Sequence, residues 1–201
     1  MTITSRPPPG PVLLALREGT QACHKALEAR LPFFSEGFDH DAYRRLIEAY
    51  YGFHAPLEAL LATHQGNERN KAEALCRDLQ ALKLSAEQID ALPLCRDLPA
   101  ITDEASALGV MYVVEGSTLG GQVLRRAMAQ RLGIDADSGG GFLDVYGSAT
   151  ASHWRGFIER LDRHPLSPEN QARAVAAAVA TFTCFERWLE QRAVLLHAIE
   201  C

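Results

Sequence analysis

A single all-α domain is the fold this sequence predicts, and three observations predict it. Apolar residues recur at three- and four-residue spacing along nearly the whole chain, which is the helical period. Valine, isoleucine and threonine do not cluster into the alternating runs that mark strands. Prolines and capping residues cut the pattern into helix-length pieces, with no internal repeat and no linker.

The run Pro7-Pro8-Pro9-Gly10-Pro11 makes residues 1–11 a disordered proline-rich tail, leaving residues 12–201 as one helical domain. A first helix is expected over residues 12–31, with Leu13, Leu16, Thr20, His24, Leu27 and Leu31 on one stripe and Pro32 ending it. Asp39 or Asp41 caps a second helix, whose inner face holds Tyr43, Leu46, Ile47, Tyr50, His54, Leu57 and Leu61. Residues 63–71 read as a polar loop. Short helices follow over 72–82 and 85–92, the latter capped by Ser85, before Pro93 and Pro99 break the chain. Residues 103–132 are helical in period yet contain Gly109, Gly116, Gly120 and Gly121. A glycine-rich turn at 137–141 leads to a helix over 148–163. Ser167-Pro168-Glu169 then supplies a cap, a first-turn proline and a first-turn acid, starting a last helix expected to reach His197.

Composition narrows the function classes. With 201 residues, 47% hydrophobic and 22% charged, the chain can bury one continuous core. A net charge of −5 argues against the basic face of a nucleic-acid binder. No apolar run reaches the roughly 20 residues of a membrane span, and the first ten residues lack a secretory signal. A cytoplasmic protein with neither nucleic-acid nor membrane partner is therefore expected. Cys23, Cys76, Cys95, Cys184 and Cys201 are odd in number, widely spaced and without a Cys-x-x-Cys pair, which suits reduced thiols.

Two segments carry chemistry. Helix-interior glycine costs about 1 kcal/mol relative to alanine, yet Glu115-Gly116-Ser117-Thr118-Leu119-Gly120-Gly121-Gln122 spends three in six residues. Gly116 and Gly120 share a face, with Gly121 beside it. Either another helix packs closely there, or the helix bends and its backbone approaches a flat, bulky ligand. A phosphate loop is excluded, because no Gly-Lys-Ser/Thr and no Gly-x-Gly-x-x-Gly occurs.

The second segment surrounds His24. A histidine on an apolar stripe is ordinarily a satisfied core residue, but Glu28 follows one turn later and can hold the ring nitrogen turned away from a metal. Arg17, two turns earlier, can meet an anionic group such as a heme propionate. An axial histidine with a nearby cation forms half of a heme site. His54, among Tyr50, Tyr51 and Phe53, competes with His24 as a second ligand or is simply core, and core is the preferred reading. His40, His64, His153, His164 and His197 fall in loops or near helix ends, where solvated or capping roles are expected. Glu-x-x-His, His-Glu-x-x-His and Gly-x-Ser-x-Gly are all missing, which removes di-iron, zinc-protease and hydrolase schemes.

The stretch from Leu16 through Arg17, Thr20 and His24 to Glu28 resembles the opening helix of heme oxygenases. Tyr112-Val113-Val114-Glu115-Gly116-Ser117-Thr118-Leu119-Gly120-Gly121-Gln122 resembles their distal helix. The branch associated with bacterial phytochromes is the most similar, and the likeness covers most of the chain after the tail. The resemblance implies a helical bundle with heme between the two segments, His24 as iron ligand and Glu28 as its partner. Gly116 and Gly120 would lie against the ring, Gly121 would support the bend, and Ser117 would hold a water. Arg17 and Tyr112 are the implied propionate contacts, Arg155 a weaker one, with Phe182 and Phe185 as pocket wall or core. It also implies cleavage of heme, at once cofactor and substrate, with O2 and electrons to biliverdin, ferrous iron and carbon monoxide. The electron donor would be an external reductase or ferredoxin, and a bacteriophytochrome is a candidate partner for the bilin. Mammalian-type members carry an aspartate where Ser117 stands and an arginine where Val113 stands. A hydroxyl can hold a water but brings no charge. A heme carrier or sensor, and a thiaminase-like enzyme of the related fold using Cys184, stay open as alternatives.

Overall fold

The computed structural model describes residues 9–163 and 166–197. Residues 1–8 of the expected tail, His164 and Cys201 lie outside the described residues. Among those described there are seven α-helices and no strand.

Helix α1 (Pro11–Arg30) starts on a residue assigned to the tail, because proline suits the first helical turn. It ends as Leu31 turns extended ahead of Pro32. Helix α2 (His40–Leu61) is capped by Asp39, whose carboxylate accepts the Ala42 amide at 2.8 Å. All seven residues expected on its inner face are buried. Helices α3 (Ala72–Ala81) and α4 (Ala86–Asp90) follow, with Ser85 and Gln88 closing a reciprocal cap at the start of α4.

Helix α5 (Glu104–Leu132) runs unbroken through its glycines, from a cap shared by Asp103 and Ser106 to a left-handed Gly133. The expected glycine-rich turn is a wide helical turn over Ala136–Gly140. It is fixed from below by the Tyr43 hydroxyl, which donates to Gly139 O at 2.9 Å. Buried Asp78 accepts the amides of Gly141 and Phe142 at 2.8 and 2.7 Å. Helix α6 (Thr150–Arg163) leads to α7 (Pro168–Gln191), where the Ser167 cap is as expected.

The far end of α7 is not. The helix stops at Gln191, six residues before His197, since Ala193 adopts a positive φ of 53°. The chain turns back so that the Leu196 amide reaches the free Arg30 carbonyl at 2.9 Å. Arg30 also pairs with Glu186 and Glu190 of α7 at 2.8 and 2.7 Å, so the first and last helices are fastened side by side. α7 packs along α5 and α1 and touches α2. The buried apolar residues form one continuous core, and no helix among those described is long and apolar enough to cross a membrane.

Candidate active site

Between α1, α2, α5 and α7 the core is interrupted by a cavity of about 400 Å³, within the roughly 300–1,000 Å³ of small-molecule sites. His24, Arg17 and Glu28 of α1 line it. So do Tyr112, Gly116, Ser117, Gly120 and Gly121 of α5, and Phe182 and Phe185 of α7. The two sequence segments are thus brought together across one space.

His24 decides between the two readings of its stripe. Leu13, Leu16, Thr20 and Leu27 are buried, yet the His24 side chain keeps 53% of its surface exposed. A satisfied core histidine would be covered, so here the apolar stripe runs over an opening. The ring packs against Phe182 with centroids 5.4 Å apart. Its Nε2 lies 3.4 Å from Oε1 of Glu28, itself well exposed. Arg17 and Glu28 both face solvent as well as the cavity.

The glycines divide between the two roles the sequence allowed. A Cβ on Gly120 would meet nothing within 4 Å, and one on Gly116 only the Trp154 ring at 3.8 Å. These two leave helix backbone bare toward the cavity. Gly121 is a packing glycine, since its Cβ would lie 2.6 Å from the Leu143 carbonyl oxygen. Gly120→Leu is therefore expected to fold with an equal or slightly raised melting temperature while filling the cavity. Gly121→Ala should cost about 1–3 kcal/mol. Melting curves of the two variants check the contrast.

Ser117 does not present its proton to the cavity, because its hydroxyl donates to Val114 O at 2.9 Å. Only its lone pairs remain, to accept from a water. Arg155 is exposed and absent from the lining, whereas its neighbour Trp154 faces the cavity. Cys184, the residue of the thiaminase-like alternative, is likewise outside the cavity and opens onto a separate cleft.

His54 combines the two roles that the sequence left open for it. It is buried as expected of core, with 5% exposure, but it also lines the cavity. Phe142 and Phe185 flank its ring at 5.2 and 6.4 Å, and its Nδ1 is buried with no hydrogen-bond partner. Buried polar atoms are rarely left so; this one is free for a water or a ligand. Burial, assisted by the charge of Lys71, lowers its pKa from 6.5 to about 3. The neutral ring therefore contributes stability that is intact above pH 6.5 and lost as pH falls toward 3. His54→Phe is expected to flatten the dependence of melting temperature on pH across that window. An unchanged slope would mean the ring protonates freely in the folded protein.

Of the other histidines, His40 and His197 are exposed. His64 pairs with Glu104 at 3.2 Å. His153, expected to be solvated, stacks on Tyr146 with ring centroids 3.9 Å apart.

Behind the bare glycines lies a charged cluster. Glu115 precedes Gly116 but points about 100° away around the helix. Its carboxylate, 1% exposed, accepts from Lys71 Nζ at 2.8 Å, Arg69 Nη1 at 2.5 Å and the Tyr146 hydroxyl at 2.9 Å. Lys71 is wholly buried and also donates to Arg69 O at 2.9 Å. Glu58 of α2 accepts the amides of Lys71 and Ala72. Burial pulls the Lys71 pKa down and Glu58 up, with the Glu115 charge opposing the shift at Lys71. The cluster fixes α5 to α2 and to the loop before α3, setting the height of the glycine backbone.

Comparison with known proteins gives one consistent result. A family model described as heme oxygenase matches residues 11–191. A heme oxygenase of Xanthomonas campestris pv. campestris is 30% identical over 164 residues, which is 77% of this chain and 93% of that protein. Among solved structures, heme oxygenase-2 of Synechocystis sp. in complex with heme and NO superposes with a TM-score of 0.75. It shares 19% identity over 91% of this chain and 85% of that one. Heme oxygenase of Leptospira interrogans gives 0.71 at 20% identity, over 90% and 98% of the two chains. The NO- and CO-bound heme oxygenase of Neisseria meningitidis gives 0.67 at 24%, over 94% of each.

Proposed function

The chain belongs to the heme oxygenase family, and from that premise we propose that it cleaves heme with O2 and electrons from an external reductase or ferredoxin to biliverdin, ferrous iron and carbon monoxide. The observation that carries this reading is His24, an imidazole half exposed on an apolar stripe and facing a cavity whose opposite wall is bare glycine backbone. The residues fit a flat ring with an iron centre and anionic edges. The walls are mainly apolar, two glycines keep Cβ atoms out of the space, and a cation stands at one side.

Heme bound there would supply the redox-active iron and the macrocycle that is oxidised. His24 would hold the iron through one ring nitrogen, leaving the other for Glu28, whose charge orients the ring and raises its basicity. Gly116 and Gly120 would admit the ring and exclude bulk from its far face, while Gly121 keeps α5 seated on Leu143. Arg17 would neutralise a propionate, with Tyr112 of α5 as a second contact. Ser117 Oγ, its proton already given to Val114, would accept from a water and so orient that water's remaining proton. His54, neutral at physiological pH, would offer one nitrogen to the same pool of ordered water. Arg155 stands outside the lining, where it could reach only a propionate that extends to the surface. The use of the bilin by a phytochrome rests on the sequence resemblance.

A titration of the protein with hemin, followed by ascorbate in air and then by a protein reductant, tests the reading. A saturable Soret band that decays into the broad red absorption of biliverdin supports it. A stable Soret band under both reductants identifies a carrier or sensor instead, and no saturable band rejects heme altogether.

A further inference from the structure

Away from the cavity, α7 and the segment over residues 93–99 enclose a second cleft. We propose that Cys95 and Cys184 form a thiol–disulfide exchange site there, served by an anionic low-molecular-weight disulfide such as oxidised glutathione, and that exchange ties this segment to α7.

The two thiols are free and their sulfurs are 3.9 Å apart. A disulfide holds sulfurs about 2.0 Å apart, so closure asks the two sulfurs to approach by about 2 Å. Cys95 is fixed by its backbone. Pro56, inside α2, has no N–H to give the Gly52 carbonyl four residues earlier, and the Cys95 amide takes that carbonyl at 2.8 Å. Trp188 of α7 donates to Ala49 O of the same helix at 2.7 Å. The segment and α7 are thus both docked on α2 before any covalent bond forms.

Access and charge point to the reagent. The cleft, about 240 Å³, opens onto both cysteines and is lined also by Arg96, Arg187 and Asp97. Two guanidinium groups against one carboxylate make it cationic, which favours a disulfide bearing carboxylates. The Cys184 thiol donates to Asp97 O at 3.1 Å, and burial raises its pKa to about 12, with Cys95 adding to the rise and Arg187 opposing it. Exchange is therefore slow at neutral pH and quickens with alkalinity, as suits an equilibrium tie rather than a fast sensor.

In the exchange, Cys184 loses its proton to solvent and its thiolate attacks the reagent disulfide, expelling one glutathione thiolate. Cys95, deprotonated in turn, attacks the Cys184 sulfur of the mixed disulfide and expels the second. The protein gives up two electrons and two protons, and the reagent takes them as two thiols.

The full-length protein, incubated with oxidised glutathione at mildly alkaline pH and mapped without reductant, is expected to yield a Cys95–Cys184 cross-link that dithiothreitol reverses. Cystamine, the same disulfide with cationic ends, should produce it several-fold more slowly. The oxidised protein should melt roughly 5–10 °C higher, a shift absent from Cys95→Ser and Cys184→Ser. Thiols that stay free at equilibrium, glutathione lodged on Cys184 without closure, or equal rates with the two reagents would each overturn the proposal.

Discussion

His24→Ala is expected to abolish the Soret band of stoichiometrically bound heme and reduce biliverdin formation by more than about a hundredfold, since loss of even a ligand's supporting partner costs 10- to 100-fold. The fold should not notice. The side chain is half exposed and its only polar contact is an exposed pair with Glu28, a class of interaction worth about 0–1 kcal/mol. The melting temperature without ligand should therefore match that of the wild type, which separates loss of a ligand from loss of structure. Added imidazole should enter the space left by the ring and restore the Soret band, and part of the turnover with it. A wild-type spectrum in the variant would transfer the iron to another group, with His54 first in line.

The largest effect on stability is expected from Glu115→Ala. The substitution removes the carboxylate that Lys71 and Arg69 share, leaving a wholly buried ammonium with only the Tyr146 hydroxyl and a carbonyl. Breaking a buried ion pair from one side costs about 3–5 kcal/mol, equivalent to a fall of about 10 °C in a chain of this size. Adding Lys71→Met to the first change should recover much of the loss, because the cost lies in the unpaired charge. Equal melting of the single and double variants would show that water already compensates Lys71. Since Glu115 adjoins Gly116, the single variant should also broaden the Soret band of whatever heme it still binds.

Much of the scaffold could be read from the sequence because its determinants are local. The caps at Asp39, Ser85 and Ser167 each act within three residues of themselves, and apolar stripes follow from periodicity. The pairing of His24 with the glycine segment was legible only through the family resemblance, since by its own residues each segment allowed a core or packing role. What escaped was set by distant parts of the chain. Lys71 sits in a stretch that reads as a polar loop, and its partner Glu115 is 44 residues away. The end of α7 depends on the Arg30 carbonyl, at the other end of the domain. His54 stayed undecided between ligand and core for a different reason. Periodicity tells which side chains point inward but not whether the inside is filled, so a histidine facing a cavity and one facing leucines look alike. Arg155 and Trp154 differ by one position, and helical phase read from sequence does not resolve that step.

The fastening of α1 to α7 has a temporal consequence. His24 emerges early in translation, but the Phe182 ring beside it belongs to the last tenth of the chain. Arg30 has no glutamate partners until Glu186 and Glu190 have left the ribosome. Domains fold as units once their residues are available, so a nascent chain has the iron ligand without the pocket. Capture of the ligand must follow the emergence of α7. Until then the apolar stripe of α1 is bare. A chain cut anywhere before residue 182 should therefore fail to hold heme, although every residue of its first motif is intact.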